Sequence, residues 1–267
     1  MPEQLRIENL AAVSARTDVE AMITAAFKPL VDSGDLEIDL TGAKAKSARY
    51  VLTFETKYDW NTFDHRACLF KPFYYGLTGS VYLDAIERKN FCEDVTKCGT
   101  CERLFRTKDE QTKQIGMTAV HEIGHLFGLH EAGTDGSGHS ADPTNAMFAI
   151  TSHIDYKPIE EDSRLTKKYT IVKDDWLSKI AHRIGFWPAS TGWQTLYKLK
   201  GKDGKSNKQL LRSGNPNLIF PGEEIWVPDI PARIAWTRDA SLKPKSFTKA
   251  QTDTMRAFIK AGKTIFD

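Results

Sequence analysis

The five residues from His121 to His125, His-Glu-Ile-Gly-His, carry the clearest chemical pattern in the chain. Residues four apart lie one above the other on a helix, so His121 and His125 can direct ring nitrogens at one metal ion. Glu122 stands beside the first imidazole, where its carboxylate can take a proton from a water bound to that ion. The pattern therefore predicts a site for Zn²⁺ with Glu122 as the catalytic base.

A catalytic zinc site takes three protein ligands and leaves one position open, so a third ligand is needed. Two imidazoles and one carboxylate follow the motif closely enough to be considered. They are His130, Glu131 and His139. All three side chains are chemically suitable, because zinc accepts carboxylate oxygen as well as imidazole nitrogen.

The motif lies on a predicted helix, TKDEQTKQIGMTAVHEIGHLFGL, which turns apolar toward its end and must turn at Gly128. An earlier helix is predicted over TDVEAMITAAFKPLVDSG, with Thr17 as N-cap and Gly34 as its stop. The segments DLEIDL and ARYVLTFET alternate like half-buried strands, and GLTGSVYLDAI is predicted as a further strand.

HEIGHLFGL followed by HSADPTNAMF resembles the metzincin zinc peptidases, and most closely their matrixin branch. The resemblance covers the first 150 residues in broad pattern and is sharp over residues 121–148. It implies an α+β catalytic domain with a twisted mixed sheet, an active-site helix and a Met-turn containing Met147. It also implies that GLTGSVYLDAI is the edge strand against which an extended peptide substrate pairs.

The chain departs from that family at the third ligand. The position six residues after the second histidine holds Glu131, where the family has its third histidine. His139 nevertheless has the family's flanking pattern, with Met147 eight residues beyond it, so the resemblance implies His139 after an inserted loop. The leishmanolysin branch is similar, with a longer insertion. The alternatives are Glu131 or His130 and, in a gluzincin-like site, Glu160 or Glu161.

A second domain is predicted beyond a charged linker near residue 160. Strand YTIV, helices WLSKIAHRI and WQTLYKL, and strand EIWVP together resemble a LysM module, a small βααβ unit. LysM modules bind N-acetylglucosamine polymers such as peptidoglycan or chitin, and related units serve in phage-tail-like assemblies. The residues that the resemblance implies for a glycan site are Asp175, Trp176, Asn217, Leu218, Ile219 and Phe220.

The predicted organisation is a zinc metallopeptidase domain over residues 1–158, a LysM-like domain over 166–229 and a tail over 230–267. The tail contains an amphipathic helix over SFTKAQTDTMRAFIKAG, with Ser246 or Thr248 near its cap. Four cysteines, Cys68, Cys92, Cys98 and Cys101, are consistent with two disulfides, a four-thiolate zinc site or free thiols.

Composition excludes some classes of partner. The net charge of +2 gives no reason to expect nucleic acid. No apolar run approaches the roughly 18 residues of a membrane span, and no secretory signal is visible. A chain made in the cytoplasm that binds cell wall would be delivered by a non-classical route, such as a secretion machine or a phage-like particle.

The sequence thus predicts a zinc-dependent endopeptidase that acts on a protein or peptide substrate and docks on a cell wall or particle through its second domain. The competing prediction is a non-enzymatic protein for peptidoglycan binding or phage-tail-like assembly, whose metal site is structural or degenerate. The intact Glu122 favours the enzyme, because a purely structural zinc site has no use for a base beside its first ligand.

Overall fold

The structure is a computed structural model that describes residues 2–42, 48–56, 77–87, 90–92, 101–103, 105–129, 140, 142–148, 163–184 and 191–262. Its contacts divide the chain into two compact units. Unit 1 consists of Met1–Lys89, Phe105–Ala149 and Ala240–Asp267. Unit 2 consists of Asn90–Leu104 and Ile150–Asp239.

The elements of the described residues are numbered here in chain order. The strands are β1 Glu3–Glu8, β2 Leu36–Asp39, β3 Tyr50–Glu55, β4 Leu77–Tyr82, β5 Asn90–Cys92, β6 Cys101–Arg103, β7 Thr166–Thr170 and β8 Glu224–Pro228. The helices are α1 Arg16–Asp32, α2 Leu83–Glu87, α3 Lys108–Leu126, α4 Leu177–Arg183, α5 Gly192–Lys198, α6 Asn207–Leu210, α7 Ile230–Leu242 and α8 Lys249–Ala261. Two short 3-10 turns lie at Leu10–Ala12 and Ser163–Leu165.

Unit 1 contains a four-stranded sheet in the order β2-β1-β3-β4, and its three pairings are all parallel. β1 was not predicted from the sequence, although its Leu5 and Ile7 alternate with polar residues and are almost fully buried. In β3, consecutive residues Tyr50, Val51 and Leu52 are all buried, as expected for a strand covered on both faces. β4 lies at one end of the sheet that the described strands form.

The strand predicted over GLTGSVYLDAI is shorter than expected. β4 ends at Tyr82, and the residues that follow form the short helix α2. α2 packs against α3, so its residues gain a helical neighbour instead of a further strand partner. At Gly79 an added Cβ would lie 3.7 Å from the Leu126 side chain, which shows how closely β4 approaches the end of α3.

Helix α1 begins at Arg16 with Ala15 as its N-cap, so the predicted cap at Thr17 is wrong by two residues. Arg16 lies in the first turn and donates to Glu20, one turn along the helix. Gly34 ends this segment with φ +72°, a left-handed conformation that glycine adopts without steric cost. The buried stripe of α1 consists of Val19, Ile23, Phe27 and Leu30.

Unit 2 contains the antiparallel pair β7–β8, with α4, α5 and α6 nearby in sequence. The strand predicted at YTIV starts earlier, at Thr166, because the cross-strand register with β8 runs from Thr166 opposite Pro228. The described residues of this unit include one buried apolar cluster. Its members are Ile171, Leu177, Ile180, Ala181, Leu196, Leu199, Leu211, Ile225, Trp226 and Val227.

One buried amide joins the elements of unit 2. Asn207 is fully buried, and its side-chain nitrogen donates to the carbonyls of Leu196 at 2.7 Å and Trp226 at 2.8 Å. Its side-chain oxygen accepts from the Trp226 N–H at 2.6 Å. Asn207 is the first residue of α6, a short helix with a capping box within the lysine-containing segment GKDGKSNKQLLRSG. Helix α7, like strand β1, was not predicted from the sequence.

The chain is therefore a mixed α/β protein with a parallel sheet and helices, in agreement with the α+β class expected from the sequence. The mixed sheet expected in the first domain is not found among the described strands of unit 1, which pair only in parallel. The predicted linker near residue 160 lies outside the described residues, apart from its end. Within the described ranges, no helix is both long and apolar enough to cross a membrane.

Candidate metal centre

Helix α3 carries the histidine pair and is anchored at its N-terminus by a capping box. The Thr107 side chain accepts from the Glu110 N–H at 3.1 Å, and the Glu110 carboxylate accepts from the Thr107 N–H at 3.0 Å. The helix packs against α1, β3 and β4. Twelve of its residues are buried, so α3 is a central element of unit 1 and not a surface helix.

The C-terminal end of α3 is held by aromatic packing. The Phe127 ring lies edge-on to Phe27 of α1, with centroids 5.8 Å apart, and edge-on to Tyr50 of β3 at 5.0 Å. Gly128 follows with φ +88°, which confirms the turn predicted there. A Cβ at Gly128 would also lie 2.4 Å from the Phe258 ring, so glycine is required both by backbone conformation and by space.

Both imidazoles are oriented by backbone carbonyls. The His121 Nδ1 lies 3.2 Å from the Ala146 carbonyl oxygen, and the His125 Nδ1 contacts the Leu129 carbonyl oxygen. A carbonyl oxygen can only accept, so each Nδ1 carries the proton and donates it. Each ring therefore presents its Nε2 lone pair to the space between the histidines.

The two Nε2 atoms lie 3.1 Å apart, and the ring planes meet at 83°. Two nitrogen lone pairs at this separation repel one another unless a cation lies between them. A proton or a metal ion satisfies this requirement. Zinc–nitrogen bonds of about 2.0–2.1 Å to both atoms would meet at an angle of about 95–102°, close to tetrahedral. The residues present therefore fit zinc.

Two further features favour a cation here. Both histidines are only half-buried, so an ion can reach their rings. They also lie in the last two turns of α3, where the helix dipole places partial negative charge. An ion with two positive charges is stabilised at such a helix end.

Glu122 has the burial expected of a residue that works inside the site rather than on the surface. It is 4% exposed, although a carboxylate is among the side chains most rarely buried. Its position next to His121 in the last part of α3 makes it the buried acidic neighbour of the two imidazoles.

Met147 packs directly on the motif helix. Its side chain is fully buried, and an added Cβ at Gly124 would lie 2.7 Å from its sulfur. Gly124 lies between the two histidines in sequence, so the sulfur packs on the segment that carries them. The same Cβ would lie 3.1 Å from the Phe247 ring.

All candidates for a third metal ligand lie outside the described residues. These candidates are His130, Glu131, His139, Glu160 and Glu161. Within the described ranges, no three His, Cys, Asp or Glu side chains come together in an arrangement that could hold a metal ion. The structure thus brings together the His121 and His125 rings, packs Met147 on the helix segment between them and buries Glu122. The choice of third ligand stays a prediction.

Comparisons of the chain with protein-family models, with curated proteins and with solved structures find no match.

Several residues that support the site were not predicted from the sequence. The turn containing Met147 is held by a segment about 100 positions further along the chain. The Ala146 N–H donates to the Ser246 carbonyl at 2.9 Å, and the Ser246 N–H donates to the Thr144 carbonyl at 3.0 Å. Asn145 forms a reciprocal amide pair with Gln251 of α8. The local sequence signal near these residues was the Thr-x-x-Gln capping pattern at Thr248. It indicated the start of a helix, but it did not indicate that Gln251 would contact Asn145.

Lys245 contacts the same turn. Its ammonium group donates to the carbonyls of Pro143 at 2.6 Å and Ala240 at 3.0 Å, and lies 4.6 Å from the centre of the Phe148 ring. Burial lowers the pKa of Lys245 to about 8, while the nearby Asp142 carboxylate acts in the opposite direction.

In unit 2, the residues predicted for a glycan site belong to two loops that are hydrogen-bonded to each other. The Ile171 N–H donates to the Glu223 carbonyl, and the Gly222 N–H donates to the Ile171 carbonyl, both at 2.8 Å. Large apolar side chains are exposed on these loops. They are Val172, Trp176, Leu218 and Phe220. Asn217 is exposed, whereas Ile219 packs against the core of unit 2.

Asp175 differs from the other predicted glycan residues, because its carboxylate is occupied within unit 2. The side chain is 6% exposed and forms an ion pair with Arg183 at 2.9 Å. It also accepts from the Tyr169 hydroxyl at 2.7 Å and the Val172 N–H at 3.0 Å. Burial, together with the hydrogen bond to Asp175, raises the pKa of Tyr169. The Asp175 carboxylate therefore stabilises the loop between β7 and α4 through these internal hydrogen bonds.

Only two of the four cysteines fall within the described residues. The antiparallel register of β5 and β6 places Cys92 directly opposite Cys101. Cys68 and Cys98 lie outside the described residues. The disulfide, zinc and free-thiol alternatives therefore stay predictions.

Proposed function

We propose that the chain is a zinc-dependent endopeptidase of metzincin type, and that unit 2 is a LysM-like module through which it docks on a glycan polymer. The observation that most strongly supports a peptidase is the geometry of the His121 and His125 imidazoles. Both Nδ1 atoms contact backbone carbonyls, the two Nε2 atoms face each other at 3.1 Å, and the residue after His121 is the buried Glu122.

The residues of the site divide the chemistry between them. His121 and His125 would hold zinc through Nε2, with His139 as the third ligand. Bound zinc supplies a Lewis acid that polarises the peptide carbonyl and makes water a nucleophile at neutral pH. The Glu122 carboxylate takes the proton of the attacking water and returns it to the leaving amine nitrogen. Its burial favours this exchange, because the carboxylate is shielded from bulk water.

The substrate proposed for this site is an extended peptide. An extended chain pairs with a sheet edge through main-chain hydrogen bonds, and β4 lies at one end of the sheet formed by the described strands. β4 also packs against α3, the helix that carries both histidines.

Docking on a glycan is supported by exposed apolar and aromatic side chains on two loops of unit 2. Trp176 is 56% exposed and Phe220 is 41% exposed, whereas large aromatic residues are usually more buried. Flat aromatic faces with polar neighbours suit sugar rings. The competing function is a phage-tail-like assembly protein, which would use the same loops to contact protein.

The test compares zinc content and peptide cleavage in the wild type, Glu122→Gln and His125→Ala. We expect the wild type to bind one zinc ion and to cleave casein or peptidoglycan peptides. Glu122→Gln should keep zinc and lose at least about 10²-fold in kcat, the usual contribution of a general base. His125→Ala should lose zinc. A wild type that binds zinc but cleaves no substrate would favour the assembly function.

The third ligand has its own test. His139→Ala should lower zinc affinity sharply, while Glu131→Ala and His130→Ala should leave it unchanged. Zinc affinity is measured by competition with a chelator of known affinity. If Glu131→Ala releases zinc and His139→Ala does not, the proposed insertion between the second and third ligands is wrong.

A further inference from the structure

We propose that Gln251, on the C-terminal helix α8, is a positioning residue for the imidazole of His121. The residue lies far from the motif in sequence and does not contact the metal-binding nitrogens. The inference rests on the proposed function, because it concerns the orientation of a metal ligand. It adds a partner that neither the motif nor its spacing assigns.

The connection begins at the Ala146 carbonyl, which accepts from the His121 Nδ1 at 3.2 Å. That hydrogen bond selects the tautomer in which Nε2 carries the lone pair. The carbonyl belongs to the peptide unit between Ala146 and Met147. The direction of this one peptide plane therefore determines the direction of the imidazole.

The other end of the same peptide plane is held by Asn145. The Met147 N–H donates to the Asn145 Oδ1 at 2.8 Å. Asn145 is 8% exposed, and its amide must present oxygen, not nitrogen, toward Met147. If the amide turned over, two N–H groups would face each other and the peptide plane would lose its partner.

Gln251 decides which way the Asn145 amide points. The Asn145 Nδ2 donates to the Gln251 Oε1 at 3.1 Å, and the Gln251 Nε2 donates to the Asn145 Oδ1 at 3.2 Å. Gln251 is 3% exposed, so water is not available to replace it. Its own orientation is set by the Thr248 N–H, which donates to Oε1 at 2.9 Å. The hydrogen bonds thus run from the α8 cap to His121.

The second imidazole also depends on α8. Phe258 packs so closely on Gly128 that an added Cβ there would lie 2.4 Å from the ring. The next residue, Leu129, supplies the carbonyl that orients His125. One helix therefore supports both of the turns whose carbonyls orient the two histidines.

A simpler role for Gln251 is the capping of α8, since Gln251 is also the third residue of a capping box with Thr248. Two substitutions separate the roles. Thr248→Ala removes the capping hydroxyl and leaves the Asn145–Gln251 pair. Gln251→Met keeps the length of the side chain but removes both hydrogen bonds to Asn145, together with the one from the Thr248 N–H. Gln251→Glu keeps the cap acceptor and removes only the donor to Asn145, and it replaces Gln251→Met if that variant does not fold.

Two measurements on the full chain test the inference. The first is zinc affinity by chelator competition. The second is the ¹⁵N spectrum of the His121 ring in the zinc-free protein, which distinguishes the two tautomers. We expect Gln251→Met to weaken zinc binding about 10-fold or more, as loss of an outer hydrogen-bond partner does, and to mix the tautomers. Thr248→Ala should lower the stability of the chain but leave both measurements at wild-type values.

Wild-type zinc affinity and a single Nδ1–H tautomer in Gln251→Met would overturn the inference. Equal weakening by Thr248→Ala would also overturn it, because capping alone would then explain the effect. The failure of the proposed function is distinguishable from either result. In that case the wild type itself binds no zinc or cleaves no peptide, while the tautomer comparison in the zinc-free protein still decides the role of Gln251.

Discussion

Two glycines of α3 have different neighbours, although both lie within the same helix. An added Cβ at Gly124 would meet the Met147 sulfur at 2.7 Å and the Phe247 ring at 3.1 Å. An added Cβ at Gly116 would meet the terminal methyl of Met22 at 2.4 Å, at the end of a flexible side chain. Only the first contact involves a rigid ring and the turn that supports His121.

We therefore predict that Gly124→Ala lowers the free energy of unfolding by about 1–3 kcal/mol through overpacking. This loss should outweigh the gain of up to about 1 kcal/mol that alanine brings to a helix interior. Gly116→Ala is the matched control and should stay within about 1 kcal/mol of the wild type, because Met22 can change rotamer. Urea unfolding measures both. A Gly124→Ala protein more stable than the wild type would contradict the close packing of Met147 on α3.

At the scale of elements, α8 is fixed to unit 1 by charge as well as by packing. The Arg256 guanidinium donates to Asp35 at 2.8 Å, and Lys260 lies 3.3 Å from the other carboxylate oxygen. The Asp35 side chain is only 9% exposed. The hydrogen bond from Ser33, followed by those from Arg256 and Lys260, lowers the pKa of Asp35 against the opposing effect of burial.

This lowered pKa predicts that α8 docking is sensitive to acid. Asp35 binds fewer protons in the folded chain than in the unfolded chain, so its contribution is complete above its ordinary pKa of 3.8. That contribution is lost as the pH falls below 3.8 toward the lower pKa of the folded state. Asp35→Asn should flatten the decline of stability in this range, as measured by urea unfolding at several pH values.

The matched control is Asp32→Asn. Asp32 belongs to the exposed pair that Lys28 and Asp32 form along α1, where solvent screens the charges. Asp253 is unsuitable as a control, because its carboxylate also accepts from Arg256 at 3.0 Å. The Asp32→Asn substitution should change the stability of the chain little at neutral pH. If Asp35→Asn leaves the acid dependence unchanged while Asp32→Asn removes it, the ion pair with Arg256 does not hold α8 in place.

At the scale of the whole molecule, the last segment of the chain belongs to the first unit. Ala240–Asp267 is grouped with Met1–Lys89 and Phe105–Ala149, and most of unit 2 lies between them in sequence. The predicted tail helix is α8, and its Thr248 caps it as the sequence indicated. Its packing on Gly128 and its hydrogen bonds to Asn145 place it within the core of unit 1.

We predict that a chain ending at Leu242, which lacks α8, loses zinc binding while the core of unit 2 stays folded. The reason is that the turns carrying Met147 and the Ala146 and Leu129 carbonyls, which orient the two histidines, lose their contacts with α8. The core of unit 2 is formed by residues 171–227 and does not include α8. Zinc affinity and the NMR signals of that core are the measurements. The full-length control Asn207→Ala should show the reverse, with a destabilised unit 2 and wild-type zinc affinity. Zinc binding by the truncated chain would show that α8 is dispensable.

Much of the fold could be predicted from local patterns, and the exceptions have physical reasons. The Thr107 capping box and the apolar spacing of α3 mark a helix, because caps and helical faces depend on residues three or four apart. Strand β1 was missed because six residues with only two buried side chains give a weak signal. The order β2-β1-β3-β4 was not predictable from spacing, because parallel strands pair across long connections.

A spacing of four residues is enough to predict that His121 and His125 share one helical face with Glu122 beside them, because the backbone hydrogen bonds of a helix enforce it. The directions of the two rings, in contrast, depend on tertiary contacts. Their carbonyl partners lie at Ala146 and Leu129, and Asn145 and Gln251 are 106 positions apart. Contacts at that separation arise from the packing of distant segments in unit 1, which no local periodicity encodes.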